Sequence, residues 1–191
     1  MVFENYIHSR ERTRNTKRYI AFHESGHAVA ALVFGIHFRD VTIRYNNVSC
    51  GSVNGLGESY YTISAIISLC GPISQSKFEN KNELEYNSSY MDIDDAEHAI
   101  NGLITTLKSI KYKNGYRPCE KKLYNDMFTS ALILVNSNWD QIKCISENLL
   151  KLESDLSYYD CVTLLLENGL YDSMIRPELP KLEGHFDQYL L

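Results

Sequence analysis

Residues 16–35 read TKRYIAFHESGHAVAALVFG, and their centre carries His23, Glu24 and His27. The residues that follow are small or apolar, which favours a buried α-helix. Two histidines four positions apart on a helix stand one above the other, about 5–6 Å apart at their β-carbons, so both imidazoles can bind one metal ion. In the H-E-x-x-H pattern of zinc peptidases the glutamate is the general base. The stretch therefore predicts a zinc site with two histidine ligands and Glu24 beside them.

Both ends of this helix can be predicted. Thr13 or Thr16 can cap the start, because a threonine hydroxyl accepts a hydrogen bond from a free backbone N–H there. Gly35 can end it, since glycine readily adopts the left-handed conformation found after helices. Buried polar groups are costly without partners, so His23 and His27 need either a metal or each other. A pair of hydrogen-bonded core histidines is the alternative to a metal site.

A third ligand is expected from residues 91–99, MDIDDAEHA, because catalytic zinc usually takes three protein ligands and keeps one position for water. The apolar stripe of this predicted helix runs through Ala96, Ala99 and Leu103. One turn before Ala96 lies Asp92, which therefore points inward. Asp95 is the next candidate. An ordinary first-turn acid, favoured there by the helix dipole, is the alternative role for Asp92.

Residues 22–30, FHESGHAVA, resemble the zinc-site helix of the FtsH family, the membrane-anchored ATP-dependent metalloproteases, whose pattern is H-E-A-G-H-A. Asp92 with Ala96 is similar to that family's zinc aspartate in its N-D-x-x-x-A pattern. The resemblance runs with gaps from about residue 16 to residue 168, and its specific parts are these two motifs. It implies zinc held by His23, His27 and Asp92.

Residues 69–75, LCGPISQ, resemble the family's glycine-centred segment, with two departures. Pro72 lacks a backbone N–H and should kink or interrupt a helix predicted over residues 60–69. Gln75 stands where the family usually has an acid. If that acid orients a zinc-bound histidine, as outer carboxylates commonly do, Gln75 substitutes for it only weakly.

After Gly35 the apolar residues no longer repeat at helical spacing but alternate with polar ones. Val41, Ile43 and Tyr45 alternate with polar residues, Asn46-Asn47 offers a turn, and residues 48–53 can return as a second strand. The position of residues 50–55 is similar to the FtsH strand that pairs with extended substrate. A hairpin that only covers the core is the alternative.

Later segments regain a helical period over residues 121–134 and 139–152, with a turn at 136–138, and residues 160–166 resemble the short terminal helix of the FtsH family. Residues 78–90 and 110–118 are polar and predict loops. The expected fold is mainly α (α+β), a helical domain with a small antiparallel hairpin or sheet beside the H-E-x-x-H helix. We expect a polar N-terminal segment at 1–15, the peptidase domain at 16–176 and a tail at 177–191.

Composition limits the function classes. The chain has 191 residues, 44% of them hydrophobic, and a formal net charge of −5, which argues against nucleic acid as a partner. No apolar run approaches the about 20 residues of a membrane span, and the N-terminus does not read as a signal peptide. Five cysteines without C-x-x-C spacing predict reduced thiols and a cytoplasmic location. The sequence also lacks a phosphate-binding G-x-x-x-x-G-K-[ST] loop.

These observations predict a stand-alone, ATP-independent zinc metalloendopeptidase that resembles the FtsH peptidase domain without its ATPase and membrane segments. Glu24 would activate the zinc-bound water to hydrolyse peptide bonds in unfolded or flexible polypeptides, with a separate ATPase unfoldase as a further expected partner. One alternative is a zinc-binding regulatory or interaction module of weak catalytic power. A second alternative is a helical protein that binds no metal.

Overall fold

The chain is mainly helical in a computed structural model that describes residues 2–44, 52–54, 61–81, 90–111, 120–152 and 154–179. The helices in these ranges are α1 (Val2–Phe34), α2 (Tyr61–Phe78), α3 (Tyr90–Lys111), α4 (Glu120–Ser137), α5 (Trp139–Leu152) and α6 (Tyr158–Glu167). Strands β1 (Asp40–Thr42), β2 (Ser52–Asn54) and β3 (Leu156–Ser157) form one antiparallel sheet. The predicted fold class is confirmed.

Helix α1 is longer than the sequence suggested. It begins at Val2, so Thr13 and Thr16 lie inside it and the predicted cap was wrong. Residues 2–15 contain neither proline nor glycine, and nothing in them breaks a helix before residue 16. Its end is as predicted: Gly35 has φ 69°, and the N–H groups of Gly35 and Ile36 bond the carbonyls of Leu32 and Ala31 at 3.0 and 2.8 Å. The division into segments at residues 16 and 177 stays a prediction.

Helices α1 and α2 form the centre of the fold. Helix α1 packs on α2 and α5, while α2 also packs on α3 and α4. The Phe22 ring stacks on Phe78 of α2 at 4.0 Å between centroids and on Trp139 of α5 at 5.4 Å. These aromatic contacts hold α1 to both neighbours one residue before His23.

Pro72 does not interrupt α2, which continues to Phe78. The predicted helix end near residue 69 was therefore wrong. Leu69 and Ile73, on either side of the proline, are buried, as are most residues of this helix. Packing on both sides thus outweighs the single backbone hydrogen bond that a proline removes.

The sheet has the order β2-β1-β3 and lies beside α1. Strand β1 pairs antiparallel with β2, Val41 opposite Val53, which confirms the predicted hairpin pairing. Strand β3 was not predicted, because two residues are too few to show a strand period. It pairs with β1 so that Leu156, opposite Val41, is buried with it. The expected turn at Asn46-Asn47 lies outside the described residues.

The C-terminal helices follow their predicted positions closely. Helix α5 has the predicted bounds, α4 runs three residues further than expected, and Asn138 alone separates the two. The predicted loops fall mostly outside the described residues. Within the part of the chain that is described, no helix is long and apolar enough to cross a membrane. Free cysteine thiols lie at Cys70, Cys144 and Cys161, the first and last of them buried.

Candidate metal centre

The site residues come from α1 and from the first turn of α3. His23 and His27 lie one turn apart on α1, and each is 8% exposed. Asp92 lies in the first turn of α3, with its side chain 25% exposed. The apolar stripe of α3 turns Asp92 inward as predicted: Ile93, Ala96 and Ile100 are buried beneath it.

Two glycines let α1 and α2 approach closely at this point. A β-carbon at Gly26 would clash with the Ser74 side chain and lie 2.5 Å from the Cys70 carbonyl. A β-carbon at Gly71 would clash with three atoms of the His27 imidazole: Nε2, Cε1 and Cδ2. Side chains at these positions would displace a helix or a ring, so both glycines are required by the site.

The three side chains meet at their ligand atoms. His23 Nε2 lies 3.2 Å from His27 Nε2 and 3.0 Å from Asp92 Oδ2, and His27 Nε2 lies 3.3 Å from Asp92 Oδ1. His23 and His27 come from α1 and Asp92 from α3, yet each pair of side chains approaches within 3.3 Å, and the two Asp92 oxygens face different imidazoles. His23, His27 and Asp92 are therefore brought together as a group that could hold a metal ion.

The hydrogen bonds behind the imidazoles define how their protons are placed. His27 Nδ1 donates to the Ile67 carbonyl at 2.8 Å, and His23 Nδ1 donates to Gln75 Oε1 at 3.1 Å. Gln75 is oriented in turn because its Nε2 donates to Glu79 Oε1 at 3.2 Å. With both Nδ1 atoms protonated, neutral imidazoles present only Nε2 lone pairs to each other and to the carboxylate. Such an assembly of acceptors needs a cation between them.

The geometry fits a tetrahedral zinc ion. Zinc bonds of about 2.0–2.1 Å to nitrogen place tetrahedral ligand atoms about 3.3–3.4 Å apart. The Nε2–Nε2 separation of 3.2 Å, and the distances of 3.0 and 3.3 Å from each Nε2 to its own Asp92 oxygen, are close to that spacing. Two imidazoles and a carboxylate are also a donor set that suits zinc, and three ligands leave one position open.

Without a metal, a proton takes the place of the cation. Burial by itself would lower the pKa of His27, but the charge and hydrogen bond of Asp92, with Glu24 and the Ile67 carbonyl, raise it to about 9. Burial opposes ionisation of Asp92 as well, and the two histidines nevertheless hold its pKa well below the ordinary value. The site thus strongly favours a positive charge at its centre.

Glu24 lies beside this cluster in a buried position, 7% exposed. Burial raises the pKa of its carboxyl above the ordinary value; His23 and His27 oppose the increase, and Asp92 adds to it. A carboxylate whose proton affinity is raised in this way is suited to take up a proton and return it.

The other acidic residues considered do not join the cluster. Asp95 is exposed on α3 and lies outside the group that could hold a metal. Asp94 contacts His98 on the outer face of α3, with the imidazole Nδ1 3.5 Å from Asp94 Oδ2. Of the candidates in this helix, only Asp92 occupies the position that a third ligand needs.

Sequence reasoning missed Ile67, Gly71 and Glu79 as parts of the site. Together with Gln75 they recur every four residues along α2, which is the spacing of one helical face. This spacing is present in the sequence. It was not recognised because the predicted helix ended near residue 69, before Pro72, and so left out the last three of the four positions. The role of Ile67 has no sequence signal, since it acts through its backbone carbonyl.

No known protein-family model matches this chain, and no curated protein sequence matches it.

Proposed function

We propose that the chain is a zinc-dependent metalloendopeptidase related to the FtsH peptidase domain. The observation that carries the proposal is the convergence of His23 Nε2, His27 Nε2 and the Asp92 carboxylate at tetrahedral spacing, with buried Glu24 beside them. A structural histidine pair would not need an inward-facing carboxylate from another helix, nor two imidazoles whose outer nitrogens are both occupied as donors.

His23, His27 and Asp92 would hold the zinc ion. Zinc bound there would supply an acidified water molecule and a Lewis acid for the substrate carbonyl. Glu24 then carries the proton: it accepts the one that the attacking water loses as the new C–O bond forms. It returns that proton to the amine nitrogen as the C–N bond breaks.

The sheet offers a place for the substrate. Strand β2 (Ser52–Asn54) lies at one edge of the described sheet, and it contacts α1. An extended peptide can add to such an edge through backbone hydrogen bonds. Only a polypeptide without folded structure can present its backbone in this way, so we propose unfolded or flexible segments as the substrate class.

Glu24→Gln tests the mechanism, because it keeps the shape of the side chain and removes its basicity. We expect both the wild type and the variant to bind one zinc ion per chain, and the variant to cleave an unfolded, fluorescently quenched protein at least about a hundredfold more slowly. Chelation should abolish the wild-type cleavage, and added zinc should restore it.

Glu97→Gln, at an exposed position of α3, is the matched control and should cleave like the wild type. Full activity in Glu24→Gln would refute the mechanism. Zinc binding without cleavage by the wild type would instead indicate a metal-binding interaction module.

A further inference from the structure

A chain of hydrogen bonds leads away from His23 along one face of α2. His23 Nδ1 donates to Gln75 Oε1 at 3.1 Å, and Gln75 Nε2 donates to Glu79 Oε1 at 3.2 Å. Glu79 directly follows α2, and its backbone N–H still bonds the Gln75 carbonyl at 2.9 Å. Its other carboxylate oxygen lies 2.7 Å from Lys81 Nζ. Gln75 therefore links the imidazole to a carboxylate.

An amide oxygen is a weaker acceptor than a carboxylate, but a charged group on its N–H side changes this. A carboxylate that accepts from Gln75 Nε2 pulls electron density toward Gln75 Oε1, as chains of hydrogen bonds polarise one another. The Glu79 side chain is only 7% exposed, so water screens this interaction little, while Lys81 Nζ, 2.7 Å from the other oxygen, offsets part of the charge. Gln75 thus transmits part of the Glu79 charge to the proton on His23 Nδ1.

We propose that Gln75 and Glu79 act together as the outer partner of His23, and that they set the affinity and ligand strength of the metal site. Both are positioning residues: Gln75 contacts the far nitrogen of the His23 ring, and Glu79 acts through Gln75. His27 has no such link to a carboxylate among the described residues, because its Nδ1 donates to the Ile67 backbone carbonyl. The inference rests on the proposed function only in requiring that His23 binds zinc.

The test is zinc affinity, measured by competition with a chelator of known strength, in four variants of the full chain. Glu79→Gln keeps an acceptor for Gln75 but removes the charge, and we expect about tenfold weaker zinc binding. Gln75→Leu removes the acceptor, and we expect a loss near the upper end of the 10–100-fold range that is typical of outer partners.

The third variant exchanges the two residues. In the double variant Gln75→Glu with Glu79→Gln, the carboxylate contacts His23 directly and the amide lies behind it. Zinc binding should return to the wild-type level or exceed it. Glu147→Gln, which removes an equal charge from an exposed position of α5, is the matched control and should bind zinc like the wild type.

A second measurement separates tuning from packing. The visible absorption bands of the cobalt-loaded protein report the ligand field, and they should shift in Glu79→Gln while the metal-free unfolding midpoint stays near that of the wild type. Wild-type affinity in either Glu79→Gln or Gln75→Leu would overturn the inference. So would an exchanged variant as weak as Gln75→Leu, which would indicate a packing role only.

Failure of the two proposals can be told apart. If the wild type binds zinc but cleaves nothing, the peptidase proposal fails and the role of Gln75 and Glu79 is still decided by affinity. If the wild type binds no zinc when the metal is supplied, both proposals are overturned.

Discussion

Asp92 carries the only negative charge among the three clustered side chains, and its two oxygens lie 3.0 and 3.3 Å from different imidazoles. Its carboxylate stays ionised although it is largely buried, because the histidines hold its pKa low. The charge matters as much as the ligand atom, since it balances a cation that two neutral imidazoles cannot balance.

Asp92→Asn therefore removes charge at constant shape, and we expect zinc affinity to fall by more than about a hundredfold, beyond what loss of an outer partner costs. Asp95→Asn, three residues along the same helix and exposed, should bind zinc like the wild type. Chelator competition on both variants decides between the two aspartates. The reverse result, with Asp95→Asn the weaker binder, would contradict the arrangement described for α3.

Helix α2 shapes the site although it supplies no metal ligand. Gly71 leaves just enough room for the His27 ring, and the Ile67 carbonyl one turn earlier holds the Nδ1 proton of that ring. Helix and ring are in contact over this turn, so the position of α2 determines where His27 Nε2 points.

Gly71→Ala tests this contact. Alanine favours the helix by about 1 kcal/mol over glycine, so a helix effect alone would stabilise the protein. At the site, however, the added methyl displaces the His27 imidazole, and we expect zinc affinity to fall by about tenfold or more. Gly102→Ala on α3 is the matched control, because its methyl would meet the half-exposed Tyr61 ring, which can move into solvent. Equal zinc affinity in the two variants would refute the proposed role of Gly71.

The segments that could be predicted are those whose apolar residues repeat at a regular spacing. Helix α5 was predicted with its observed bounds because Ile142, Ile145 and Leu149 repeat at helical spacing and are buried. His23, His27 and Asp92 were found in the same way, from spacing and from the apolar stripe that turns Asp92 inward. Their juxtaposition is seen in the structure, while their role as zinc ligands stays a prediction.

What could not be predicted depends on contacts between elements. The cost of Pro72 in α2 is offset by packing that no local pattern displays, so the helix was expected to end before it and the four-residue spacing of Ile67, Gly71 and Gln75 was not recognised. Strand β3 forms by pairing with β1, with Leu156 opposite Val41, and these two segments are far apart in the sequence. The hydrogen bond from His23 to Gln75 could be expected from the resemblance, but the hydrogen bond that Glu79 accepts from Gln75 could not.

The proposed metal centre joins α1 to α3, and both helices pack on α2. The unfolded chain has no such site, so an ion that binds there stabilises the folded state by mass action, about 2.7 kcal/mol at a hundred times its dissociation constant. Zinc and protons compete for the same imidazole nitrogens, and this makes the stabilisation depend on pH.

The metal-free protein should lose stability as the pH rises. The pKa of His27 is 6.5 in the unfolded chain and about 9 in the folded one. Its ion pair with Asp92 is fully present below pH 6.5 and is lost as the pH rises to about 9, a contribution of about 3 kcal/mol at 1.36 kcal/mol per pKa unit. Asp92 acts at the other end: its pKa is lowered from 3.8, so its contribution is present above pH 3.8 and is lost in stronger acid.

Zinc should reverse the alkaline loss, because it needs the neutral imidazole that high pH provides. We expect the unfolding midpoint of the metal-free protein to fall between pH 6.5 and about 9, and the increase caused by saturating zinc to grow over the same interval. Thermal unfolding with and without zinc measures both. Asp92→Asn is the control: without the carboxylate, His27 has lost the main cause of its raised pKa, so the metal-free midpoint should depend less on pH. A metal-free midpoint that does not change across this interval, or a zinc effect that is the same at both ends, would show that protons and zinc do not compete for His27.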